Sequence, residues 1–375
     1  MNQASLVLIL AFVLGALLPF AVRPLLHALN MVDIPNERSS HTIPTYRGMG
    51  LATASATCLS FAVATLMGWT VNLPISLTFL AGGGLALLLG WTEDVYGVSV
   101  AKRAGMQLVI GLGIALSLAI IQEASLLWVP VAGLFIAGYI NVTNFMDGIN
   151  GISGCHGLVA GLAYAYMGGV SSLPWMTIGG LAIAGAYTAF LPWNLRMGHN
   201  VFLGDAGSYF LGASLGTIAV GAFYAGIPFL ASIAPLLVYL ADSAMTLIRR
   251  MAAGEQWYKP HRTHVYQRLT DVGLGHISAT IMVSSATAIV WAFVLFASDL
   301  FLTGAFFAGV GVLALAVAVI VLYLRLPELL DTRLQPAEQG HSNSKQNIAD
   351  LNAETHPMSE RKSEGSQRSE ERRVG

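Results

Sequence analysis

Side chains that could bind a divalent cation occur in three short segments of the sequence. In the first, GWTEDVYG, Glu93 and Asp94 are adjacent at the end of an apolar run. Adjacent carboxylates repel one another unless a cation or strong hydrogen-bond donors lie between them. The pair therefore favours a metal or phosphate-metal site, although a loop charge that only solvates its loop is the common alternative.

The second segment, NVTNFMDGINGISG, places Asp147 three residues from Asn144 and three from Asn150. On a helical turn this spacing puts three oxygen-bearing side chains on one face, and the glycines allow a ligand to approach the backbone closely. The alternative is an amide-rich helix end with capping asparagines.

The third segment, VFLGDAGSYFLG, sets Asp205 between two glycines, just before an apolar run. The amides of a helix N-terminus attract anions. Carboxylate oxygens on short loops suit Mg²⁺, which normally keeps water and substrate phosphates among its ligands. An N-cap carboxylate is the alternative.

Basic and histidine side chains are concentrated in a fourth segment, KPHRTHVYQRL, which contains His261, Arg262, His264 and Arg268. If Pro260 starts a helix, the two histidines share a face. Zinc usually requires three or four His, Cys or carboxylate ligands, and the flanking Arg and Lys would repel it. Phosphate capture is the better interpretation, with a basic patch for anionic lipid as a less specific use.

Long apolar runs separate these segments. The 375-residue chain is 55% hydrophobic and 10% charged, with a mean hydropathy of +0.65, whereas soluble proteins have about a quarter charged residues. A membrane-spanning helix needs roughly 20 apolar residues. We therefore predict an all-α fold, a polytopic membrane bundle of about eleven spanning helices. The predicted spans are 5–29, 49–69, 73–91, 105–121, 124–141, 157–170, 174–193, 208–224, 226–247, 276–298 and 301–324. About ten spans is the alternative, with one of the last two runs re-entrant or peripheral.

Every second loop between these spans contains no Lys or Arg. By the positive-inside rule, the loops that do contain Lys and Arg are predicted to lie on the cytoplasmic side of the membrane. The loops predicted to be cytoplasmic, where the active site would lie, are 30–48, 92–104, 142–156, 194–207 and 248–275. The N-terminus is then periplasmic and the C-terminus cytoplasmic. Residues 1–324 form the membrane domain, and residues 325–375, which are polar and mixed in sign, form a disordered tail.

Two further groups lie close to the predicted inner membrane surface. His41 and Arg47 could clamp a phosphate or lipid headgroup, or could be ordinary juxtamembrane residues. Asp242 lies near the inner end of an apolar run. An ionisable group there is functional by default, with pairing to Arg249 or Arg250 as the structural alternative.

Five segments, in order, resemble the glycosyltransferase 4 family of polyprenyl-phosphate N-acetylhexosamine-1-phosphate transferases, which includes the MraY, WecA and WbpL types. They are DIPNERSSHTIPTYRGMG, the Glu93–Asp94 pair, NFMDGINGISG, FLGDAGS and HRTHVYQRL. The resemblance, over about residues 1–324, implies Mg²⁺-dependent attack of a polyprenyl phosphate on the β-phosphorus of a UDP-sugar, with release of UMP. Mn²⁺ is a possible substitute for the metal.

The resemblance also implies roles for Asp94, Asp147, Asn150, Asn144, Lys102, His261, His264 and Asp205. Together with the composition of the segments, it predicts Glu93, Asp94, Asp147 and Asn150 as catalytic positions; Asn144, Lys102, His261, Arg262, His264, Arg268, His41 and Arg47 as substrate-binding positions; and Asp205 as the metal ligand. The implied partners are a UDP-N-acetylhexosamine, undecaprenyl phosphate and membrane lipid in a bacterial inner membrane. No nucleic-acid partner is expected, and a homodimer is left open.

The chain departs from the family pattern at several positions. Glu93 stands where the pair often reads Asp-Asp, Asn150 where other members have Asp, and Tyr46 and Met49 replace a proline and a glycine. Fewer carboxylates are then available to balance a metal charge. The histidine segment looks most like that of the WbpL-type initiators of O-antigen synthesis, which favours a nucleotide sugar without a peptide.

Phosphoryl transfer depends mainly on positioning and charge stabilisation. A phosphate monoester has a second pKa of about 6, so the acceptor is already nucleophilic at neutral pH. We therefore expect electrostatic or metal-linked roles for Asp94 and Asp147, with covalent catalysis by an aspartate as the alternative. A transporter or flippase of lipid-linked sugars is the other functional class, but transporters place their charged sites near the bilayer midplane.

Overall fold

The computed structural model describes residues 2–34, 44–196, 201–256 and 261–354, with side chains described up to residue 331. This part of the chain is almost entirely helical. Its α-helices are α1 (Gln3–Ala28), α2 (Gly50–Leu66), α3 (Leu73–Tyr96), α4 (Val100–Ile121), α5 (Val129–Met146), α6 (Ile152–Val170), α7 (Pro174–Asn194), α8 (Gly204–Tyr224), α9 (Phe229–Ile233), α10 (Leu237–Ala252), α11 (Val265–Asp271), α12 (His276–Leu302) and α13 (Phe306–Glu354).

Every predicted span falls on helix, which confirms the all-α membrane bundle. Within the described residues, 9 helical segments are long and apolar enough to cross a membrane. The two remaining predicted spans are α2, with 17 residues, and α6, with 19 residues. The exact number of crossings stays a prediction.

The predicted span 226–247 is not one continuous helix. It begins with the short α9, passes through a 3₁₀ turn at Ala234–Leu236, and continues as α10. Pro235 lies in this turn. Proline lacks a backbone donor and clashes with the preceding helical turn, so the break occurs there.

The last helix continues beyond the predicted membrane domain. Sequence analysis expects disorder from residue 325, whereas α13 runs for 49 residues to Glu354. Leu, Glu, Gln, Arg and Ala, which are frequent in this stretch, have high helix propensity. The chain forms two units, Met1–Pro327 and Glu328–Gly375, and all described candidate site residues lie in the first.

The helix α8 lies at the centre of the bundle, and its residues from Ala206 to Ala222 are buried. Glycines allow its neighbours to approach closely. A Cβ added to Gly90 of α3 would lie 2.2 Å from the carbonyl oxygen of Asp205, and one added to Gly50 of α2 would lie 2.2 Å from the amide of Gly207. The N-terminus of α8 is therefore held between α2 and α3.

A two-stranded antiparallel sheet closes the loop between α1 and α2. Its strands are β1 (Val32–Asp33) and β2 (Thr45–Tyr46), with Val32 opposite Tyr46. The carbonyl of Tyr46 accepts a hydrogen bond of 2.8 Å from the amide of Phe202, just before α8. Tyr46 thus connects the first loop to the start of α8 through its backbone, although it replaces the family's proline.

Candidate active site

Asp94, at the end of α3, caps the N-terminus of α8. Its two carboxylate oxygens accept hydrogen bonds from the amides of Asp205 (3.1 Å) and Ala206 (2.9 Å). Gly204 has a φ of +76°, and a Cβ there would lie 2.7 Å from the Asp94 carboxylate, so this turn requires glycine. Asp94, which is 5% exposed, therefore acts on Asp205 by fixing the start of its helix.

Glu93 points to different partners from those of its neighbour. One carboxylate oxygen pairs with Arg103 at 3.1 Å, and the other accepts a 2.7 Å hydrogen bond from the amide of Val98. Arg47 donates to the backbone carbonyl of Asp94 at 3.1 Å. Each of the two carboxylates thus accepts hydrogen bonds from donors of its own. The sequence analysis expected either such donors or a cation beside the pair.

Asp205 faces the end of α5. The Asn144 amide donates to its carboxylate at 2.6 Å, and a second contact joins Asn144 to the Ser208 hydroxyl at 3.3 Å. Thr143 donates to the carbonyl of Ser208 at 2.9 Å. Two neighbouring residues of α5 therefore hold the first turn of α8.

Asp147 is the C-cap residue of α5. Its carboxylate accepts a 2.6 Å hydrogen bond from the Ser153 hydroxyl. Burial raises the pKa of Asp147 to about 8; the hydrogen bond from Ser153 opposes this rise, and the carboxylates of Asp205 and Asp94 add to it. The three aspartates are therefore close enough to repel one another.

Asn144, Asp147 and Asn150 do not share a helical face, contrary to the sequence prediction, because α5 ends at Met146. The backbone of Asn150 instead contacts α12, through its amide to His276 (3.4 Å) and its carbonyl to Thr280 (3.0 Å).

Asn194, which was not identified from the sequence, contacts the loop after α5. The side chain of Asn194 accepts from the amide of Gly151 and donates to the carbonyl of Val201 at 2.9 Å. It thereby joins the loop after α5 to the segment before α8.

The histidine segment is arranged differently from the prediction of a helix that begins at Pro260. The helix α11 begins at Val265, and His264 is its N-cap residue. His261 precedes the helix, but its ring still stacks on that of His264, with centroids 5.0 Å apart. Arg262 pairs with Asp271 at 3.1 Å, and the partly exposed Arg268 lies on α11.

Burial lowers the pKa of His261 to about 4, and the neighbouring His264 and Arg250 lower it further, against Asp242. At neutral pH His261 is therefore uncharged. It can contribute one N–H donor or one acceptor to a ligand, and Arg262 and Arg268 carry positive charge in the same segment.

Tyr266 connects α11 to the aspartate cluster, formed by Asp94, Asp147 and Asp205. Its hydroxyl donates to the carbonyl of Phe145 at 2.8 Å, and a Cβ added to Gly148 would lie 2.1 Å from the same hydroxyl oxygen. The histidine segment thus lies directly against the turn that carries Asn144 and Asp147. Sequence analysis did not single out Tyr266.

Lys102 lies at one end of an apolar groove of about 570 Å³ between α3 and α4. The groove residues are Leu85, Leu88, Leu89, Thr92, Ala101, Lys102, Gly105, Met106, Val109 and Ile110. Lys102 and Thr92 are the neighbours in sequence of Arg103 and Glu93, so this end adjoins the ion pair. His41 lies outside the described residues.

Five loops were predicted to share one membrane face, and hydrogen bonds join four of them, either directly or through the ends of their helices. These four are the loops at Arg47, Asp94, Asn150 and Asp205. The fifth, the histidine segment, joins them through Tyr266. Within the described residues, no group of three or more His, Cys, Asp or Glu side chains is placed to hold a metal ion. The cluster therefore offers acidic and amide oxygens beside basic groups, but no complete protein cage for an ion.

Comparisons with known proteins identify a matching family model and curated relatives. Residues 76–222, which include the Glu93–Asp94 pair, the Asp147 loop and Asp205, match the family model for Glycosyl transferase family 4. A decaprenyl-phosphate N-acetylglucosaminephosphotransferase of Mycolicibacterium smegmatis is 28% identical over 310 residues, covering 70% of this chain and 74% of the relative.

Two other curated relatives have related names. A probable undecaprenyl-phosphate N-acetylglucosaminyl 1-phosphate transferase of Bacillus subtilis is 24% identical over 315 residues, covering 76% of this chain and 83% of the relative. An undecaprenyl-phosphate alpha-N-acetylglucosaminyl 1-phosphate transferase of Escherichia coli is 24% identical over 311 residues, covering 75% and 80%.

The chain is a multi-pass helical membrane protein, and its residues 76–222 match the glycosyl transferase family 4 model. With the curated relatives, this match confirms the resemblance predicted from the motifs and the assignment of the protein as a transferase of this type.

Proposed function

We propose that this enzyme transfers an N-acetylhexosamine 1-phosphate from a UDP-sugar to undecaprenyl phosphate and releases UMP. The observation that carries the proposal is the position of Asp205, at the first turn of a buried helix, beside Asn144 and within electrostatic reach of Asp147. The names of the relatives support a polyprenyl phosphate acceptor and favour N-acetylglucosamine as the first sugar to test.

Mg²⁺ fits the donor set, with Mn²⁺ as a substitute. One carboxylate oxygen of Asp205 accepts a hydrogen bond from Asn144. The mutual repulsion of the three aspartates favours a cation among them. Mg²⁺ commonly takes one or two carboxylates and completes its shell with water and substrate phosphates, so the lack of a protein cage is consistent with it. When bound, the ion would neutralise charge on the transferred phosphate.

The remaining residues position the substrates. Asp94 fixes the helix that carries Asp205, and the arginines of the histidine segment supply positive charge for phosphate oxygens. The acceptor phosphate needs no obligate base, since it is largely dianionic at neutral pH. The apolar groove that ends at Lys102 has the character expected of a site for an isoprenoid chain.

We place this reaction at the cytoplasmic face of a bacterial inner membrane, as the first step in lipid-linked synthesis of O-antigen or a related surface polysaccharide. The arrangement of Lys and Arg supports this orientation. The resemblance of the histidine segment to that of the WbpL type supports a donor without a peptide.

The test is UMP release by purified protein with undecaprenyl phosphate, Mg²⁺ and a panel of UDP-N-acetylhexosamines, with and without chelator. We expect one sugar to give chelator-sensitive turnover, which Asp205→Asn abolishes. Asp299→Asn, at the far end of α12, is the matched control and should keep full activity. No UMP from folded protein with any sugar would refute the proposed reaction, and near-normal turnover by Asp205→Asn would remove this residue from the metal role.

A further inference from the structure

Asp242, in α10, is a fully buried carboxylate (0% exposed) at the centre of a hydrogen-bond network. Its hydrogen-bond partners are the His264 ring Nδ1 (3.0 Å), the amides of Val265 (3.0 Å) and Tyr266 (3.4 Å), and the hydroxyls of Tyr323 (2.6 Å) and Thr246 (3.3 Å). A buried carboxylate is costly unless it is well hydrogen-bonded. These contacts bring residues from α10, α11 and α13 to one side chain.

Arg250, one of the two arginines that the sequence offered as partners, pairs instead with Glu255 at 3.3 Å and donates to the carbonyl of Gln256 at 2.9 Å. The partners of Asp242 named above lie in the histidine segment, in its own helix and in α13.

Asp242 fixes both the start of α11 and the ring of His264. It accepts from two successive backbone amides at the beginning of that helix, as Asp94 does for α8. The Nδ1 of His264 lies 3.0 Å from the same carboxylate, and the hydrogen bond made by one ring nitrogen of a histidine sets the tautomer and the orientation of its ring. Both therefore depend on Asp242.

The same helix start places Tyr266. Its amide bonds to Asp242, and its hydroxyl reaches the carbonyl of Phe145, next to Asn144, which holds Asp205. Contacts therefore lead from Tyr323 of α13, through Asp242 and α11, to the aspartate cluster.

We propose that Asp242 and Tyr323 are positioning residues that hold the histidine segment against the aspartate cluster, so that α13 takes part in binding the UDP-sugar. This inference rests on the proposed function, because it assigns binding of the donor phosphates to the histidine segment. Asp242 acts through His264 and α11, and not by contact with the substrate.

Tyr323→Phe is the most conservative test, since it removes a single hydroxyl. We expect the KM for UDP-N-acetylglucosamine to rise about tenfold, by analogy with the lower end of the losses seen when a hydrogen-bond partner of a metal-binding histidine is removed. The KM for undecaprenyl phosphate should stay unchanged. Tyr164→Phe is the matched control, because Tyr164 is also fully buried and donates one hydrogen bond, 2.9 Å to the carbonyl of Ser232. It should leave both KM values unchanged.

Asp242→Asn and Asp242→Glu extend the test. The asparagine turns an NH₂ group toward one of the N–H or O–H groups that the carboxylate binds, so the KM for UDP-N-acetylglucosamine should rise further. The glutamate keeps both acceptor oxygens, so it should restore part of the affinity for UDP-N-acetylglucosamine. A structural role alone would lower the unfolding temperature of Tyr323→Phe and Tyr164→Phe alike, without a selective change in the donor KM. That result would overturn the inference.

Amide hydrogen exchange separates failure of this inference from failure of the proposed reaction, because it needs no turnover. Exchange in residues 264–271 should be faster in Tyr323→Phe than in wild type or Tyr164→Phe. An inactive wild type with this exchange pattern would refute only the proposed reaction. An active wild type with unchanged exchange and unchanged donor KM in Tyr323→Phe would refute only the positioning role.

Discussion

Replacement of Gly90 by alanine tests whether close packing of α3 and α8 positions Asp205. The added Cβ would lie 2.2 Å from the carbonyl oxygen of Asp205 and 2.6 Å from the amide of Ala206. Both atoms are backbone, so no side-chain rotation can relieve the contact. An ordinary van der Waals separation requires the two helices to move apart by about 1 Å.

The expected loss of activity follows from this displacement. A misplacement of about 1 Å in an active site can reduce the rate about 100-fold, and we expect a reduction of that order in kcat for UMP release. Overpacking should also lower the free energy of unfolding, by about 1–3 kcal/mol. Measurements at saturating concentrations of both substrates, with a thermal unfolding curve for each variant, separate the two effects.

Gly84→Ala is the control, since an added Cβ there meets nothing within 4 Å. Alanine stabilises a helix by about 1 kcal/mol relative to glycine, so this variant should be fully active and at least as stable as wild type. If Gly90→Ala is folded and its kcat is within about twofold of wild type, the reasoning that the α3–α8 approach positions Asp205 is refuted.

Three further predictions concern other parts of the site. Glu93→Gln removes the partly buried pair with Arg103 and should cost at most about 1 kcal/mol without changing the Mg²⁺ requirement; a higher Mg²⁺ requirement would indicate direct ligation. The pKa of His261 is about 4 in the folded protein and ordinarily 6.5, so the free energy of unfolding should fall as the pH drops through this interval. In His261→Gln, thermal unfolding curves should show a smaller loss of stability over the same pH range. Gly105→Leu, which fills the apolar groove, should raise the KM for undecaprenyl phosphate, whereas Gly113→Leu elsewhere on α4 should not; equal KM values would place the isoprenoid chain elsewhere.

The helices were predictable because the length and apolarity of a spanning segment follow from the thickness of the bilayer. The breaks in the helices were less predictable. Pro235 interrupts the predicted span 226–247, yet other prolines in the bundle, such as Pro19 and Pro24, lie inside α1. A proline in an apolar run does not reveal from sequence whether neighbouring helices will compensate for the lost hydrogen bond.

The candidate site was predictable as a set of segments but not as a geometry. Asp94 resembles an active-site position, and only the contacts with Asp205 and Ala206 identify it as a helix cap. Tyr266 and Asn194 were missed because they act through hydrogen bonds to backbone atoms of other segments, which no local spacing encodes. Asp242 was identified as unusual, but its contact with His264 could not be read from the sequence.

Two hydrogen bonds between residues distant in sequence have a consequence for biosynthesis. Asp94 precedes Asp205 by 111 residues, and Tyr323 follows Asp242 by 81 residues, so neither hydrogen bond can form while the ribosome has completed only one partner. Most of the bundle must therefore be translated before the aspartate cluster and histidine segment reach the arrangement described above. A chain released before α13 would lack the Tyr323 contact, and the nascent protein would acquire its complete site only after α13 has been synthesised.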